Sequence, residues 1–295
     1  MTKILILGIT GMLGHTLFTE FSQVPGYEVY GTVRSDKGLA EWLSAEMLVK
    51  VRTGIDAENT ETIAAVIKDL QPDIVINCIG VIKQLDSAKD PITTITINSL
   101  LPHQVAKICE SVGSRMIHIS TDCVFSGNKG NYTENDQSDA EDLYGRTKYL
   151  GEVDYPHCLT MRTSIIGHEL RSNYGLVDWF MSQQGKVRGF TNAIYTGFPT
   201  IEIARIRKEF VIPNPELKGL YQVSSEPINK YELLKLIAGK YSKPIEIEPY
   251  DEFKVDRSLN SERFRYVTGY VPPTWPELID SMYQHFLRFT YYKKS

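Results

Sequence analysis

The sequence predicts an α/β protein: a doubly wound parallel sheet, with a smaller C-terminal lobe after it. Three observations lead there. An apolar run, Lys3-Ile4-Leu5-Ile6-Leu7, ends directly in Gly8, Gly11 and Gly14 and is followed by a helical pattern. Two further near-continuous apolar runs, Asp73-Ile74-Val75-Ile76-Asn77-Cys78-Ile79-Gly80 and Met116-Ile117-His118-Ile119-Ser120-Thr121, read as strands covered on both faces, the habit of parallel sheets. Helical periods separate these runs, so strands and helices alternate.

In order, the expected elements are a strand at 4–7, a helix from Met12, a strand at 28–33 and a third strand at 48–52. Ile63, Val66, Ile67 and Leu70 share one helical face, and Pro72 stops that helix before the fourth strand. A helix over 97–112, the strand ending at Thr121, a helix from Leu143 and a strand at 159–166 complete the first part. Beyond about residue 167 loops lengthen and Pro199, Pro213, Pro215 and Pro227 interrupt the pattern; helices at 230–241 and 275–289 are the clear elements. The expected division is 1–166 and 167–295, with the chain free to cross between the two.

The bulk numbers narrow the function. With 295 residues there is material for a sizeable core, and the net charge of −4 offers no basic face for nucleic acid. Cys78, Cys109, Cys123 and Cys158 lack the paired spacing of metal sites, and three lie in or beside apolar runs, which points to reduced thiols and no metal centre. No apolar run reaches the ~18 residues of a membrane span. The start MTKILILG has no cleavable signal pattern, so a cytoplasmic protein without a membrane role is expected.

A buried strand that turns on glycines into a helix presents backbone N–H groups to a pyrophosphate. Where an NAD-specific fold places an acidic residue after the second strand, this chain has Arg34 and Ser35, a cation and a hydroxyl suited to a ribose 2′-phosphate. NADPH is therefore the expected cofactor, with NADH the alternative. Asp56, after the third strand, offers an acceptor to an adenine amino group and equally suits a turn.

The sharpest local pattern is Asp142-Leu143-Tyr144-Gly145-Arg146-Thr147-Lys148. Tyr144 and Lys148 sit one helical turn apart on one face. A tyrosine with a free pKa of ~10 exchanges protons poorly at neutral pH; a nearby ammonium favours the phenolate and brings that pKa down. Ser120-Thr121-Asp122 ends the preceding strand, the edge at which open parallel sheets bind ligands. There the Thr121 hydroxyl can hydrogen-bond the oxygen that Tyr144 protonates.

Gly8-x-x-Gly11-x-x-Gly14, Thr121 and Tyr144-x-x-x-Lys148 together resemble the extended short-chain dehydrogenase/reductase family. Ile119-Ser-Thr-Asp-Cys-Val-Phe-Ser-Gly127, followed by Tyr132-Thr-Glu134, is similar to its dTDP-4-dehydrorhamnose reductase group. The resemblance covers the first ~165 residues well. It thins through Tyr195-Thr196-Gly197, Val223-Ser224 and the stretch from Asp256 to Phe264. It implies a Rossmann-type domain and NADPH-dependent reduction of the 4-keto group of a 6-deoxy nucleotide-diphosphate sugar, in deoxysugar and surface-polysaccharide biosynthesis. It also implies a lobe that binds that sugar nucleotide, and a homodimer. Thr121, Tyr144 and Lys148 become the catalytic set. Asn98 matches an asparagine that supports the lysine through water. The implied cofactor set is Gly8, Thr10, Gly11, Met12, Leu13, Gly14, Arg34, Ser35, Asp56, Cys78, Gly80, Asn98, Tyr144 and Lys148.

Where dehydratases of the family carry Asp-Glu after the threonine, this chain has Asp122-Cys123, which removes the glutamate that dehydration needs. A related epimerase-reductase, GDP-fucose synthase, uses a cysteine at the matching place as a base, so Cys123 stands either as a base or as a small buried thiol; the nearest histidine, His168, lies at a different offset. Substrate contacts are assigned to Lys83, Cys123, Trp179, Arg188, Tyr195 and Arg263. A third reading is a catalytically silent binding subunit, like the regulatory subunit of methionine adenosyltransferase.

Overall fold

A computed structural model describes residues 1–83, 89–289 and 291–292. The chain forms two compact units. The first comprises Met1–Ser120, Glu141–Met161 and Val211–Leu220; the second comprises Thr121–Ala140, Arg162–Phe210 and Tyr221–Ser295. Each unit is thus assembled from three separate stretches, where the sequence pattern placed one change of rhythm near residue 167.

The expected alternation is present. The first strands and helices are β1 (Thr2–Leu7), α1 (Met12–Phe21), β2 (Tyr27–Thr32), α2 (Ala45–Leu48), β3 (Val51–Arg52), α3 (Thr60–Leu70) and β4 (Ile74–Asn77). They are followed by α4 (Pro91–Ile95), α5 (Leu101–Val112), β5 (Arg115–Thr121), α6 (Leu143–Leu150) and β6 (Cys158–Thr163). Next come β7 (Ile165–Ile166), α7 (Leu176–Ser182), β8 (Lys186–Tyr195), β9 (Phe198–Pro199) and α8 (Thr200–Ile206). The chain continues through β10 (Gly219–Gln222), β11 (Ile228–Asn229), α9 (Lys230–Lys240), β12 (Glu246–Asp256), α10 (Glu262–Thr268) and α11 (Trp275–Arg288). No helix among the described residues is long and apolar enough to cross a membrane.

The central sheet has seven strands in the order β10-β6-β5-β4-β1-β2-β3. β1 pairs with β2 and β4, β2 with β3, and β4 with β5, all in parallel. The order reverses between β1 and β4, the place where a doubly wound sheet opens a crevice for ligands. Ile4, Leu5, Ile6 and Leu7 are fully buried, as the apolar run requires. The buried stripe of α3 is Ile63, Val66, Ile67 and Leu70, and it joins Val105, Ala106 and Cys109 of α5 in one core with Leu5, Leu7 and Val75 of the sheet.

Four boundaries depart from the expectation for local reasons. The third strand shrinks to Val51–Arg52 because Ser44 caps α2, accepting from the Met47 N–H at 3.3 Å, and draws Leu48 into that helix. The fourth strand stops at Asn77, whose side chain accepts from the Ile79 N–H at 3.1 Å and turns the chain out of the sheet. The expected strand at 159–166 divides at Ser164: β6 stays in the large sheet, and β7 pairs with β9 in a separate one. The helix expected from residue 97 begins at Pro91, capped by Asp90, and widens into a π turn over Thr96–Leu100 before α5. Pro102 lacks an N–H and its ring crowds the carbonyl four residues back, which accounts for the wide turn there. That carbonyl, of Asn98, faces Gly151, where a Cβ would lie 1.9 Å from it. Gly151 therefore lets the end of α6 close onto the π turn.

The second unit holds a three-stranded sheet, β11-β8-β12. β8 and β12 run in parallel, with a bulge between Tyr250 and Lys254. Its 121–140 stretch packs Val124, Phe125 and Tyr132 with Leu259 in a small core of their own.

Glycine at 14 is a steric requirement, since a Cβ there would stand 2.2 Å from the Gly8 carbonyl oxygen and 3.0 Å from Ile9 Cα. Both are backbone atoms that cannot swing away. Gly14→Ala should lower unfolding free energy by on the order of 1–3 kcal/mol, the usual cost of overpacking. At Gly11 the nearest such atom is 3.7 Å away, so Gly11→Ala should cost at most about 1 kcal/mol, the difference between the two as a cap. Urea unfolding of the two variants checks the contrast; equal costs would contradict it.

Candidate active site

The turn from β1 into α1 is built around its outer glycines. Gly8 adopts φ +83°, and a Cβ there would press Ile79 Cγ1 at 2.9 Å. Its N–H donates to Thr32 Oγ1 at 3.1 Å. Gly11 is the N-cap of α1, with no capping side chain and no acidic residue in the first turn. The helix therefore presents bare N–H groups and its positive pole at the β1/β4 reversal. Thr10 and Gly11 are exposed, Met12 is half-buried and Leu13 is buried.

Arg34 and Ser35 follow β2 and are exposed; among the described residues the Arg34 guanidinium has no hydrogen-bond or ion-pair partner. Ser35 Oγ accepts from the Lys37 N–H at 3.3 Å. Asp56 folds back on its own loop, one carboxylate oxygen accepting from the Glu58 N–H at 3.2 Å. Cys78 is half-buried after β4 and Gly80 is exposed, its Cα within a methyl group's reach of the Asn98 amide. Asn98 clamps Val81: its Oδ1 accepts from the Val81 N–H at 2.9 Å, and its Nδ2 donates to the Val81 carbonyl at 3.0 Å. The side chain thus secures the loop after β4, and it is the Asn98 carbonyl that faces the end of α6.

Asp142 does two things at the start of α6. One oxygen accepts from the Gly145 N–H at 2.8 Å and caps the helix; the other takes the Lys83 ammonium at 2.8 Å. Lys83, read from the sequence as a substrate contact, is here a brace between the loop after β4 and the helix that carries Tyr144 and Lys148. Lys148 is buried, and its ammonium donates to the Ile119 carbonyl at 2.7 Å. Burial lowers its pKa to about 8, against the opposing pull of Glu152 and Cys78. Glu152 is held in turn by the Ser120 hydroxyl at 2.6 Å. Tyr144 is half-buried one turn before Lys148. No local pattern marks His118, whose ring is fully buried beside Asn77 (3.3 Å) and whose pKa lies well below the usual value, through burial first and then through Lys148.

In the second unit, Thr121 Oγ1 donates to Asp122 Oδ1 at 3.0 Å and accepts from the Cys123 N–H at 3.1 Å. Burial raises the Asp122 pKa, with Arg257 and Lys230 pulling it down. The Cys123 thiol is pushed up to about 12 by burial and then by Asp122. It is protonated at neutral pH, the opposite of what a base needs. His168, the nearest candidate for a partner although its offset does not match, is hydrogen-bonded to Asp178 at 2.6 Å and the Tyr241 hydroxyl at 2.9 Å.

The lobe candidates scatter. Tyr195 lies within electrostatic reach of Asp122 and Cys123 and is raised well above the usual tyrosine value by burial. Arg188 stands over the Tyr250 ring at 4.7 Å and Arg263 over Tyr221 at 4.8 Å. Trp179 is 38% exposed on α7. The charges of Lys230 and Arg257 act on Asp122 in the Thr121 turn; no local pattern marks them, because Asp122 stands more than a hundred residues away in the chain.

The RmlD substrate binding domain family model matches residues 1–287. The chain belongs to that family. Among RmlD-like relatives, methionine adenosyltransferase 2 subunit beta of Mus musculus is 24% identical over 312 residues, which cover 96% of this chain and 90% of the relative. The spore coat polysaccharide biosynthesis protein SpsK of Bacillus subtilis (strain 168) is 32% identical over 154 residues, 52% of this chain and 47% of its own length. The crystal structure of dTDP-4-dehydrorhamnose reductase from Bacillus anthracis in complex with NADP superposes with a TM-score of 0.78 at 21% identity, covering 97% of this chain and 100% of that one. At that identity the likeness establishes the fold: the seven-stranded Rossmann-type sheet expected of an RmlD protein.

The buried lysine has a measurable signature. Its pKa of about 8 in the folded state compares with ~10.4 in an unfolded chain. Between those values the unfolded state holds more protons, so this group makes stability rise with pH across that window. Subtracting the unfolding free energies of Lys148→Met from those of the native protein, from about pH 7 to about pH 10, should leave a difference that climbs with pH. A flat difference would show a solvated ammonium and a falling one a lysine held charged by a partner, and either would contradict the lowered pKa.

Proposed function

We propose that this protein is an NADPH-dependent reductase of the 4-keto group of a 6-deoxy nucleotide-diphosphate sugar, with dTDP or UDP as the nucleotide. The observation that carries the reading is the Tyr144–Lys148 turn of α6: a buried ammonium anchored on the Ile119 carbonyl, on a helix fixed by Asp142. A solvated Tyr-x-x-x-Lys pair has no reason to be held this way. When bound, NADPH supplies the hydride. The residues present fit it: an uncapped helix start, open space at Gly11, and an unpaired Arg34 for the 2′-phosphate.

The chain's own groups supply the rest. Tyr144 gives its proton to the oxygen that gains negative charge as the carbonyl carbon accepts hydride, so that C=O becomes CH–OH. Lys148, an ammonium below its pKa of about 8, stabilises the resulting phenolate by its positive charge and so makes the donation favourable. Thr121 orients the same oxygen, a preorganised dipole at the site of developing charge. The related structure solved with NADP and the spore coat polysaccharide relative support this reading of cofactor and substrate class. The raised Cys123 thiol speaks against added epimerisation.

A second reading, a cofactor-binding regulatory subunit, draws support from the methionine adenosyltransferase 2 subunit beta relatives, which align over nearly the whole chain. Turnover separates the two. NADPH oxidation in the presence of dTDP- and UDP-4-keto-6-deoxy sugars should exceed that with NADH, and Tyr144→Phe should cut kcat by ~10²–10⁴. Cofactor binding without turnover of any such sugar would select the regulatory reading.

A further inference from the structure

Thr121 has one proton and two lone pairs to offer. One lone pair takes the Cys123 N–H at 3.1 Å, and the proton points at Asp122 Oδ1, 3.0 Å away. While Asp122 is a carboxylate it only accepts, so the threonine proton is held inward. A substrate oxygen would then meet a lone pair, which repels the charge that develops during reduction. A protonated Asp122 reverses the chain: its O–H donates to Thr121 Oγ1, both threonine lone pairs are taken, and the Thr121 proton is released outward.

We propose that Asp122 is a positioning residue that, in its protonated form, turns the Thr121 hydroxyl into a donor toward the reacting oxygen. The inference rests on the reductase reading and adds a residue to it. Asp122 is 8% exposed. The charged and titratable groups that face it are Arg257, just past β12, Lys230, the first residue of α9, Tyr195 at the end of β8 and Cys123 in its own turn. The hydrogen bond from Thr121 opposes protonation first, and Arg257, a hydrogen bond from Cys123 and Lys230 add to it. Arg257, however, spends its Nε on the Phe125 carbonyl at 2.7 Å, and among the described residues Asp122 forms no ion pair. Burial is the largest influence on the carboxyl and favours the neutral acid. Tyr195 and Cys123 stay neutral and add no competing charge at neutral pH. No bond to substrate forms or breaks at Asp122; one proton is shared along Asp122, Thr121 and the substrate oxygen.

The sign is fixed: raising the pH ionises Asp122, pulls the Thr121 proton inward and slows the reaction. In the native protein kcat should fall by about tenfold per pH unit past an ionisation that lies above the ordinary carboxylate range. Asp122→Asn keeps a donor toward Thr121 at every pH, so it should retain kcat at the low-pH plateau and lose that limb. Thr121→Val should lower kcat and lose the limb as well, since nothing is left for Asp122 to turn; this variant carries the test if Asp122→Asn does not fold. Tyr144 and Lys148 titrate as well, so each variant should keep only the limb they impose, at about 8 or above; a limb that stays at the native midpoint in either variant, or no limb in the native protein, overturns the proposal while leaving the reductase reading intact. Absence of any native turnover overturns both.

Discussion

An ammonium taken out of water must find oxygen partners, and Lys148 finds its partner in the Ile119 carbonyl at 2.7 Å, beneath α6. That one bond fixes where the helix can lie against β5, and much of the surrounding sequence serves it. Asp142 stiffens the helix start, Lys83 ties the cap to the loop after β4, and Ser120 steers Glu152 to the lysine's vicinity. The buried charge costs stability, and its lowered pKa measures that cost. Its retention beside Tyr144 makes sense as chemistry.

At the other end of α6, a proline sets the geometry. Pro102 leaves the Asn98 carbonyl without its helical partner, the chain widens into a π turn, and Gly151 closes against that carbonyl where no side chain would fit. The Asn98 amide simultaneously grips Val81. The loop after β4, the π turn and α6 are therefore linked by three residues whose roles depend on one another. The β1 turn obeys a similar economy: Gly8 is demanded by its positive φ, Gly14 by backbone contacts, and Gly11 is left open at the helix start.

Local chemistry was readable from the sequence. The glycine spacing, the Tyr144–Lys148 turn and the buried strands of the parallel sheet each declare themselves within a dozen residues, and all are where the pattern put them. What escaped depends on distant partners. β12 is exposed along much of its length, so it carries no alternating apolar signal. Arg188 and Arg263 stand over the rings of Tyr250 and Tyr221, pairings that no local pattern announces. Asp122 reads as an ordinary strand-end carboxylate, and its burial and the charges of Lys230 and Arg257 that act on it come from elements far along the chain. Cys123 could be a base in a one-dimensional reading; its surroundings hold the proton on.

The central claim is that α6 protonates a carbonyl oxygen as hydride arrives at its carbon. The most direct measurement is isotopic: incubate the native protein with NADPH deuterated at the transferable C4 position and a 4-keto-6-deoxy nucleotide sugar, then locate the label in the product by NMR. The account predicts deuterium on the sugar C4 carbon, with the label absent from C3 and C5. A protein that binds both molecules and leaves all the deuterium on the nicotinamide would contradict it.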